Sequence, residues 1–444
     1  MNLSIIGTGY VGLVTGVCLA ELGHNINLID NDTDKINHLK AGKIDIYEPN
    51  LADLLIKNSN RINFYTSLDK GITSNTDAIF IAVGTPEDKT HGGADLSYVY
   101  KVAEQLADTV KDGITIITKS SVPVGTGKKI REIISAKQPK LNFTIASNPE
   151  FLREGTAICD FLQADRVVIG IDNQAAKPTM QAIYQPLADK DIPIIFTDIV
   201  TAELAKYSAN SYLATRLSFV NEIADICERT GANIKDLAHA VGLDKRIGTY
   251  YFRPGPGIGG SCFPKDTKAL RKIAHDYGAG SSILNSVINF NIERKNKLIH
   301  RIVKFMDGSV DGKTIAIMGL AFKANTDDVR ESPAINIIHG LLEHNANINT
   351  YDPEGTDNMQ QLFSDANINW CDDAYNALKN ADLAIFVTEW GEFRTLDFSK
   401  VKELMAASNI MDFRIILDKQ NLTNLGFNVY TLGEGAVQVT VSDL

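Results

Sequence analysis

No apolar run in the 444-residue sequence reaches the roughly 18 residues that a membrane-spanning helix needs, so no helical span is expected. The opening Met1-Asn2-Leu3-Ser4 lacks a basic cluster and leads directly into a strand-like stretch, so a signal peptide is not expected either. Cysteine is scarce. The five residues, at 18, 159, 227, 262 and 371, are odd in number, scattered, and contain no Cys-x-x-Cys pair. That pattern argues against a disulfide framework and a structural zinc site; a reducing cytoplasm is the expected location, and no metal is expected. A positive balance is also missing. The 44 Lys and Arg stand against 54 Asp and Glu, a net charge of −10, which argues against nucleic acid or an anionic membrane as partner. Compositional bias is absent as well: 44% hydrophobic and 22% charged residues describe a globular chain with room for two or three domains.

What is present is an alternation of strand and helix. Leu3 to Ile6 is an apolar run ending at Gly7, a helical stretch follows from Val11 to Leu22, and Ile26 to Ile29 runs into Asp30. Further strand candidates at 78–83, 114–118, 143–146 and 167–169 extend this βα rhythm, which predicts a parallel sheet covered by helices. The rhythm stops near Asp198. From Val200 to Arg229 the pattern is one long helix without Gly or Pro, followed by a shorter helix at 234–241 and a second helical region over 266–306. It resumes with a strand at 314–318, a helix from Ser332 to His344 with Pro333 in its first turn, and strands at 348–352 and 384–387. Segments 24–30 and 76–86 echo 345–352 and 381–390, which suggests two related α/β domains around a helical centre.

Several motifs fall at the ends of these strands. Gly7-Thr8-Gly9-Tyr10-Val11-Gly12 follows the first strand and opens a helix. Its glycines suit a tight turn, close approach of a pyrophosphate and helix–strand packing, and Asp30 lies where a carboxylate accepts both ribose hydroxyls; the combination predicts NAD rather than NADP. Lys35 is either a contact to the adenosine ribose or an ordinary surface lysine. Val83-Gly84-Thr85-Pro86 and Lys119-Ser120-Ser121-Val122-Pro123 end two further strands. Glu150 and Glu154, in Asn148-Pro149-Glu150-Phe151-Leu152-Arg153-Glu154, are spaced to share a helical face, and Lys206 and Asn210 do so on the long helix. Cys262 lies in Gly259-Gly260-Ser261-Cys262-Phe263-Pro264-Lys265-Asp266, where two glycines allow close approach of a ligand. The start of a helix and Lys265 favour its thiolate there, while Asp266 either orients a catalytic partner or caps the helix. Cys18, Cys159 and Cys227 sit in helical, mixed-apolar contexts and are expected in the core. Lys323, Arg330 and Arg414 are candidates for phosphates; the turn at Gly319-Leu320-Ala321-Phe322 is not GxGxxG, so the second α/β domain is not expected to hold a dinucleotide in the same way.

An NAD site needs no thiol for simple hydride transfer. A cysteine becomes useful when an aldehyde must be oxidised further: thiolate adds to the carbonyl, the thiohemiacetal loses hydride, and water hydrolyses the thioester. Lys206 and Asn210 are then oxyanion donors, and an alcohol goes to an acid in four electrons. A two-electron β-hydroxyacid-type dehydrogenase relying on Lys206 and Asn210 alone, and a non-catalytic NAD-binding regulator, are the alternatives.

GTGYVG, NPEFLREG, the K-x-x-x-N of ELAKYSANSY, PGPGIGGSCFPKD and GLAFKANTDDVRESPA occur in order over about residues 2–420 and resemble the UDP-glucose 6-dehydrogenase family of nucleotide-sugar dehydrogenases. The resemblance implies two Rossmann-like doubly wound α/β domains joined by a central helical domain with a long helix. The divisions are 1–197 for NAD, 198–306 for dimerisation and 307–444 for the UDP-sugar. It implies a homodimer and UDP-glucose as substrate, with GDP-mannose or a UDP-N-acetyl sugar as the alternative. By position, Cys262 becomes the nucleophile, Lys206 and Asn210 the oxyanion donors, and Asp266 the support of the hydrolytic water, with Glu154 acting on that water or close to it. Ser121, where the family often has threonine, keeps only a hydroxyl role. The implied NAD contacts are Gly7, Gly9, Tyr10, Val11, Gly12, Asp30, Lys35, Thr85, Ser121, Glu154, Lys265 and Arg330. The implied substrate contacts are Glu150, Phe151, Leu152, Glu154, Lys206, Asn210, Arg246, Tyr251, Phe252, Gly259, Lys323 and Arg414. Phe413, beside Arg414, departs from the family's usual glycine.

Overall fold

Short runs of Ile, Val, Leu and Phe bounded by turns become strands, and the central ones are buried on both faces, as in parallel sheets. A computed structural model describes residues 1–88 and 93–435, so the end of the 307–444 division, 436–444, lies outside the described residues. The chain divides into two units, Met1–Ala209 with Lys268–Ala279, and Asn210–Thr267 with the residues from Gly280 onward.

In the first unit β1 (Asn2–Ile6), β2 (Asn25–Ile29), β3 (Ile62–Tyr65), β4 (Ala78–Ile81), β5 (Ile114–Thr118), β6 (Phe143–Ser147), β7 (Val167–Ile171) and β8 (Ile194–Thr197) form one sheet. Their order is β3-β2-β1-β4-β5-β6-β7-β8. Side chains alternate between its faces. Ile5, Leu28 and Phe80 pack under the Tyr10–Glu21 helix with Leu13 and Val17, whereas Ile6, Ile79 and Ile116 face a second core with Val99, Leu106 and Ile130. One strand departs from the parallel expectation: β7 pairs antiparallel with β6, Ala146 opposite Ile171. The helix between them, Ala157–Leu162, has six residues. At about 9 Å it is too short to return the chain along a strand and start a parallel neighbour.

In the second unit β9 (Thr314–Met318), β10 (Asn347–Tyr351), β11 (Ile368–Trp370), β12 (Leu383–Phe386), β13 (Asn409–Asp412) and β14 (Asn428–Thr431) are parallel throughout, in the order β11-β10-β9-β12-β13-β14. This is the same permutation as the first six strands of the other sheet, the doubly wound dinucleotide order. The echo between the two ends of the sequence is therefore structural. Gly7 and Gly319 end the equivalent strands β1 and β9 at φ of +97° and +98°, and each donates its N–H at 2.8 Å to the last carbonyl of the neighbouring strand, Ile29 or Tyr351.

The helical centre holds the long helix, Ile199–Thr230, and Ile234–Gly242. The expected helical region over 266–306 consists of two helices, Phe263–Asp276 and Ser282–Phe305. Gly278, at φ +69°, and Gly280 interrupt it, because a left-handed residue ends an α-helix. The Pro333–Glu343 helix starts on Ser332, whose hydroxyl accepts the Ala334 N–H.

Candidate active site

In the first unit the glycine turn divides its labour. A side chain at Gly7 would meet the Ala82 carbonyl at 2.7 Å, and one at Gly12 would lie 1.9 Å from the Gly7 carbonyl, so both glycines are needed for the turn and the helix to pack. A side chain at Gly9 would meet nothing within 4 Å. Gly9 also starts the 12-residue helix without any side-chain cap, so the first helical amides face open space that a Cβ would fill. That cradle fits a pyrophosphate. Val11 follows Gly9 and Tyr10 in the first turn of this helix. Asp30 follows β2 and its Oδ2 accepts both the N–H and the hydroxyl of Thr8 at 2.8 Å, so the carboxylate expected to take ribose hydroxyls also braces the loop beneath them. Lys35, half-buried, lies in a helix capped by Asp32. Tyr10 donates to Glu48, a buried residue that the sequence motifs do not reveal; the two Glu48 oxygens also accept the Gly155 and Ala157 N–H at 2.6 and 2.7 Å.

The turns after β4 and β5 interlock. Thr85 donates its hydroxyl to the Ser121 carbonyl at 3.0 Å, and Ser120 donates to the Val83 carbonyl at 2.6 Å. Behind them lies a buried ionic cluster. Lys206 pairs with Glu150 at 2.7 Å, with both side chains no more than 5% exposed. Glu150 also accepts the Leu152 N–H at 2.5 Å. Burial pushes Glu150 up, but the charges of Lys206 and Lys119 outweigh it and hold the carboxyl below its ordinary value. Lys119 is buried too. It donates to Asn148 Oδ1 at 3.1 Å and lies over the Phe161 and Tyr184 rings, and burial drives its ammonium down to about 8. Asn148, which also accepts from Tyr184 and donates to the Val168 carbonyl, fixes the start of the Asn-Pro-Glu segment.

Two expectations are corrected here. Glu150 and Glu154 do not share a helical face, because residues 148–153 are irregular and the helix begins only at Ala157. Pro149 disfavours a helical Asn148, and Gly155 stands at φ +81°. Glu154 is half-buried beside Tyr10, whose phenol its charge raises after the larger effects of burial and of Glu48. Phe151 lies under the Arg166 guanidinium at 3.8 Å, and Leu152 packs on the core beneath. Cys159 is exposed rather than in the core, since its short helix buries the opposite face through Ala157 and Phe161. Cys18 and Cys227 are buried as expected.

In the second unit Cys262 immediately precedes the 14-residue Phe263–Asp276 helix, and its carbonyl accepts the Asp266 N–H at 2.8 Å, the first turn of that helix. The thiol is partly exposed, 3.4 Å from the Ser261 hydroxyl. Buried Asp266 accepts from Asn210 Nδ2 at 2.6 Å and from Lys265 Nζ at 2.9 Å. It therefore orients partners with its side chain and does not cap the helix with it. The preceding glycines are pressed against another predicted segment: a side chain at Gly259 would lie 2.7 Å from the Glu331 carbonyl, and one at Gly260 would meet the Phe322 ring at 2.7 Å. Gly260 donates to the Arg330 carbonyl at 2.8 Å. Asn221 and Arg294 hold Gly255, and Asn291 holds both backbone groups of Ile258. These clamps come from polar positions on long helices, a signal the motifs do not carry.

Arg414 donates to the Val387 carbonyl at 2.7 Å and to the Phe322 carbonyl at 2.5 Å, so it is built into the turn structure of its own unit. Buried Asp412 holds that turn by accepting the Arg414, Ile416 and Leu417 N–H groups, around Ile415 at a strained φ of +55°. Phe413 is fully buried against Tyr430, which accounts for an aromatic ring at that position. Lys323 lies over the Phe322 ring, and exposed Arg330 pairs with Asp328 at 2.8 Å. Phe252 is buried near Arg216, and Tyr251 faces Phe263 at 5.6 Å. Arg246 is exposed and pairs with Asp244.

The structure thus brings together Cys262, Asp266, Asn210 and Lys265 in one unit, and Glu150, Lys206 and the Ser121–Thr85 turns in the other. The descriptions of three family models match the chain in order: UDP-glucose/GDP-mannose dehydrogenase family, NAD binding domain over residues 1–188, central domain over 200–293, and UDP binding domain over 316–419. UDP-glucose 6-dehydrogenase of Rhizobium meliloti is 43% identical over 437 residues, 98% of this chain and 99% of that protein. UDP-glucose 6-dehydrogenase TuaD of Bacillus subtilis is 41% identical over 442 residues, 99% of this chain and 94% of that protein. The solved structure of a UDP-glucose dehydrogenase from Pyrobaculum islandicum superposes with a TM-score of 0.89 at 34% identity, covering 98% of each chain. With its glycine cradle, its thiol at a helix start and its two doubly wound sheets, the chain belongs to the UDP-glucose/GDP-mannose dehydrogenase family.

Proposed function

We propose that this protein is an NAD-dependent enzyme that oxidises UDP-glucose to UDP-glucuronate in two hydride transfers. The observation that carries the reading is Cys262: a partly exposed thiol at the start of a helix, on a glycine-packed loop, next to an Asp266 fixed by Asn210 and Lys265. NAD, when bound, supplies the hydride acceptor, and the open amides at Gly9 and the carboxylate of Asp30 are the groups that would hold it.

In this reading the Cys262 thiolate adds to the C6 aldehyde, the helix start favouring the anion. The ammonium of Lys206, paired with Glu150, and the amide of Asn210 donate to the developing oxyanion. Asp266, with Glu154 and the Ser121 hydroxyl, orients the water that releases the acid from the thioester. The divisions 1–197, 198–306 and 307–444 are the proposed NAD, central and UDP-sugar parts.

Incubation with UDP-glucose should release two NADH per substrate consumed, against one for a β-hydroxyacid-type dehydrogenase. Cys262→Ser should lose acid production by about three orders of magnitude or more while still binding NAD. UDP-glucuronate formed at the wild-type rate by that variant would remove the thiol from the mechanism. Side-by-side assays with GDP-mannose and UDP-N-acetyl sugars separate UDP-glucose from the other nucleotide sugars.

The proposal includes a homodimer. Tyr212, Phe219 and Ile226 project from the long helix at seven-residue spacing with 49–62% of their surfaces exposed. Such a stripe is what a helix presents to a second helix.

A further inference from the structure

Glu203, Lys206 and Asn210 stand at i, i+3 and i+7 of the long helix, on one face, and all three are buried. Each is tied to a different segment. Asn210 reaches Asp266 and Lys206 reaches Glu150. Glu203 has no part in the reading above. Its Oε2 accepts the Gly125 N–H at 2.7 Å and its Oε1 accepts the Gly127 N–H at 2.8 Å. Those amides open the Thr126–Lys137 helix, and the turn before it carries Ser121. The approach is tight, since a side chain at Gly127 would lie 2.8 Å from Ile199 Cγ2 and 3.3 Å from Glu203 Oε1.

We infer that Glu203 is a positioning residue whose carboxylate fastens the Ser121–Gly125 turn to the helix carrying Lys206, and so fixes the Ser121 hydroxyl for the reaction. The inference rests on the proposed participation of Ser121. Two features set Glu203 apart from a packing residue. Among the described residues no Lys or Arg forms an ion pair with it, and an unpaired buried charge is costly; a purely apolar contact would avoid that cost. Both oxygens are also spent on amides at the start of one helix, where a carboxylate is favoured. Burial nevertheless pushes the carboxyl up to about 7, with the two N–H groups pulling it down. The titratable side chain facing it from the Ser97–Thr109 helix is Tyr100, whose phenol burial raises. Lys128 and Lys129, on the helix that Glu203 holds, are exposed and lie within 4.0 Å of Glu132. Protonation of Glu203 leaves one good acceptor for two amides and slackens the turn.

The test is a double-mutant cycle in the full-length enzyme, measuring kcat with UDP-glucose from about pH 6 to pH 9. Glu203→Gln should lower kcat by about 10- to 100-fold, yet lower it less than about two-fold further in a Ser121→Ala background. The wild-type kcat should also fall as the pH drops through about 7, and Glu203→Gln should lack that limb. Multiplicative effects, or a Glu203→Gln pH profile parallel to that of wild type, would overturn the inference. Should Glu203→Gln fail to fold, Gly127→Ala presses on the same clamp from the other side and runs the same cycle. Wild-type kcat in Ser121→Ala would sink the reading of Ser121 itself; a Glu203→Gln defect in that case also rejects the inference as stated.

Discussion

At Lys119 a positive charge sits among Phe161, Tyr184 and Asn148, while the neighbouring carboxylate, Glu150, is already paired with Lys206. Burial lowers this ammonium to about 8, so keeping it charged at neutral pH costs roughly 3 kcal/mol relative to an exposed lysine. The folded-state value lies below the unfolded one, so stability from this residue grows as pH rises from about 8 toward 10.5 and is lost as pH falls through 8. Lys119→Met should therefore match or exceed the wild-type melting temperature at pH 7, with the difference shrinking between pH 8 and 10, as scanning calorimetry would show. A melting temperature lowered equally at every pH would mean that the Asn148 hydrogen bond, not the charge, dominates. Residues of this kind are hidden in the sequence: Lys119, Glu48 and Glu203 resemble surface charges until the fold buries them, whereas Cys262 is legible because glycines and a helix start surround it.

The glycine turn is the element whose chemistry is most legible beforehand, because each glycine answers a steric demand. The structure separates those demands. Gly12→Ala would drive a Cβ to 1.9 Å from the Gly7 carbonyl and should destabilise the first unit by about 2 kcal/mol or more. Gly9→Ala meets nothing within 4 Å, so its melting temperature should stay within about a degree of wild type while its NAD affinity falls at least ten-fold by calorimetric titration. Equal affinity for Gly9→Ala would place the dinucleotide away from the helix start. The Glu150–Glu154 segment is the contrary case. Its spacing reads as helix, but Pro149 and Gly155 impose an irregular path that buries one glutamate and not the other. The antiparallel β7 is equally invisible in the pattern, since strand direction depends on how far the connecting helix reaches.

For the whole molecule, the exposed stripe at Tyr212, Phe219 and Ile226 predicts that Tyr212→Arg with Ile226→Arg shifts the protein from the proposed dimer to monomer in sedimentation velocity. Both residues face solvent in the single chain, so NAD binding to the monomer should persist. A wild-type protein that sediments as a monomer at micromolar concentration would reject the dimer. The alternation of helix and strand is enough to anticipate two doubly wound sheets and a helical centre, since short apolar runs bounded by turns mark the buried strands. Strand order is not readable in that way and comes only with the structure.

The first six strands of one sheet and the six of the other share one wiring diagram, yet among the described residues only the first has an open cradle at its glycine turn. In the second, Asp352 occupies the rank of Asp30 but is buried, with its oxygens taken by the amides of Leu320, Ala321, Glu354 and Gly355 and by the indole N–H of Trp390. The carboxylate at this rank of the second sheet is thus occupied by amides and an indole of its own unit. Titration should saturate at a single dinucleotide per polypeptide, and a stoichiometry of two would mean that Trp390 is a removable stopper.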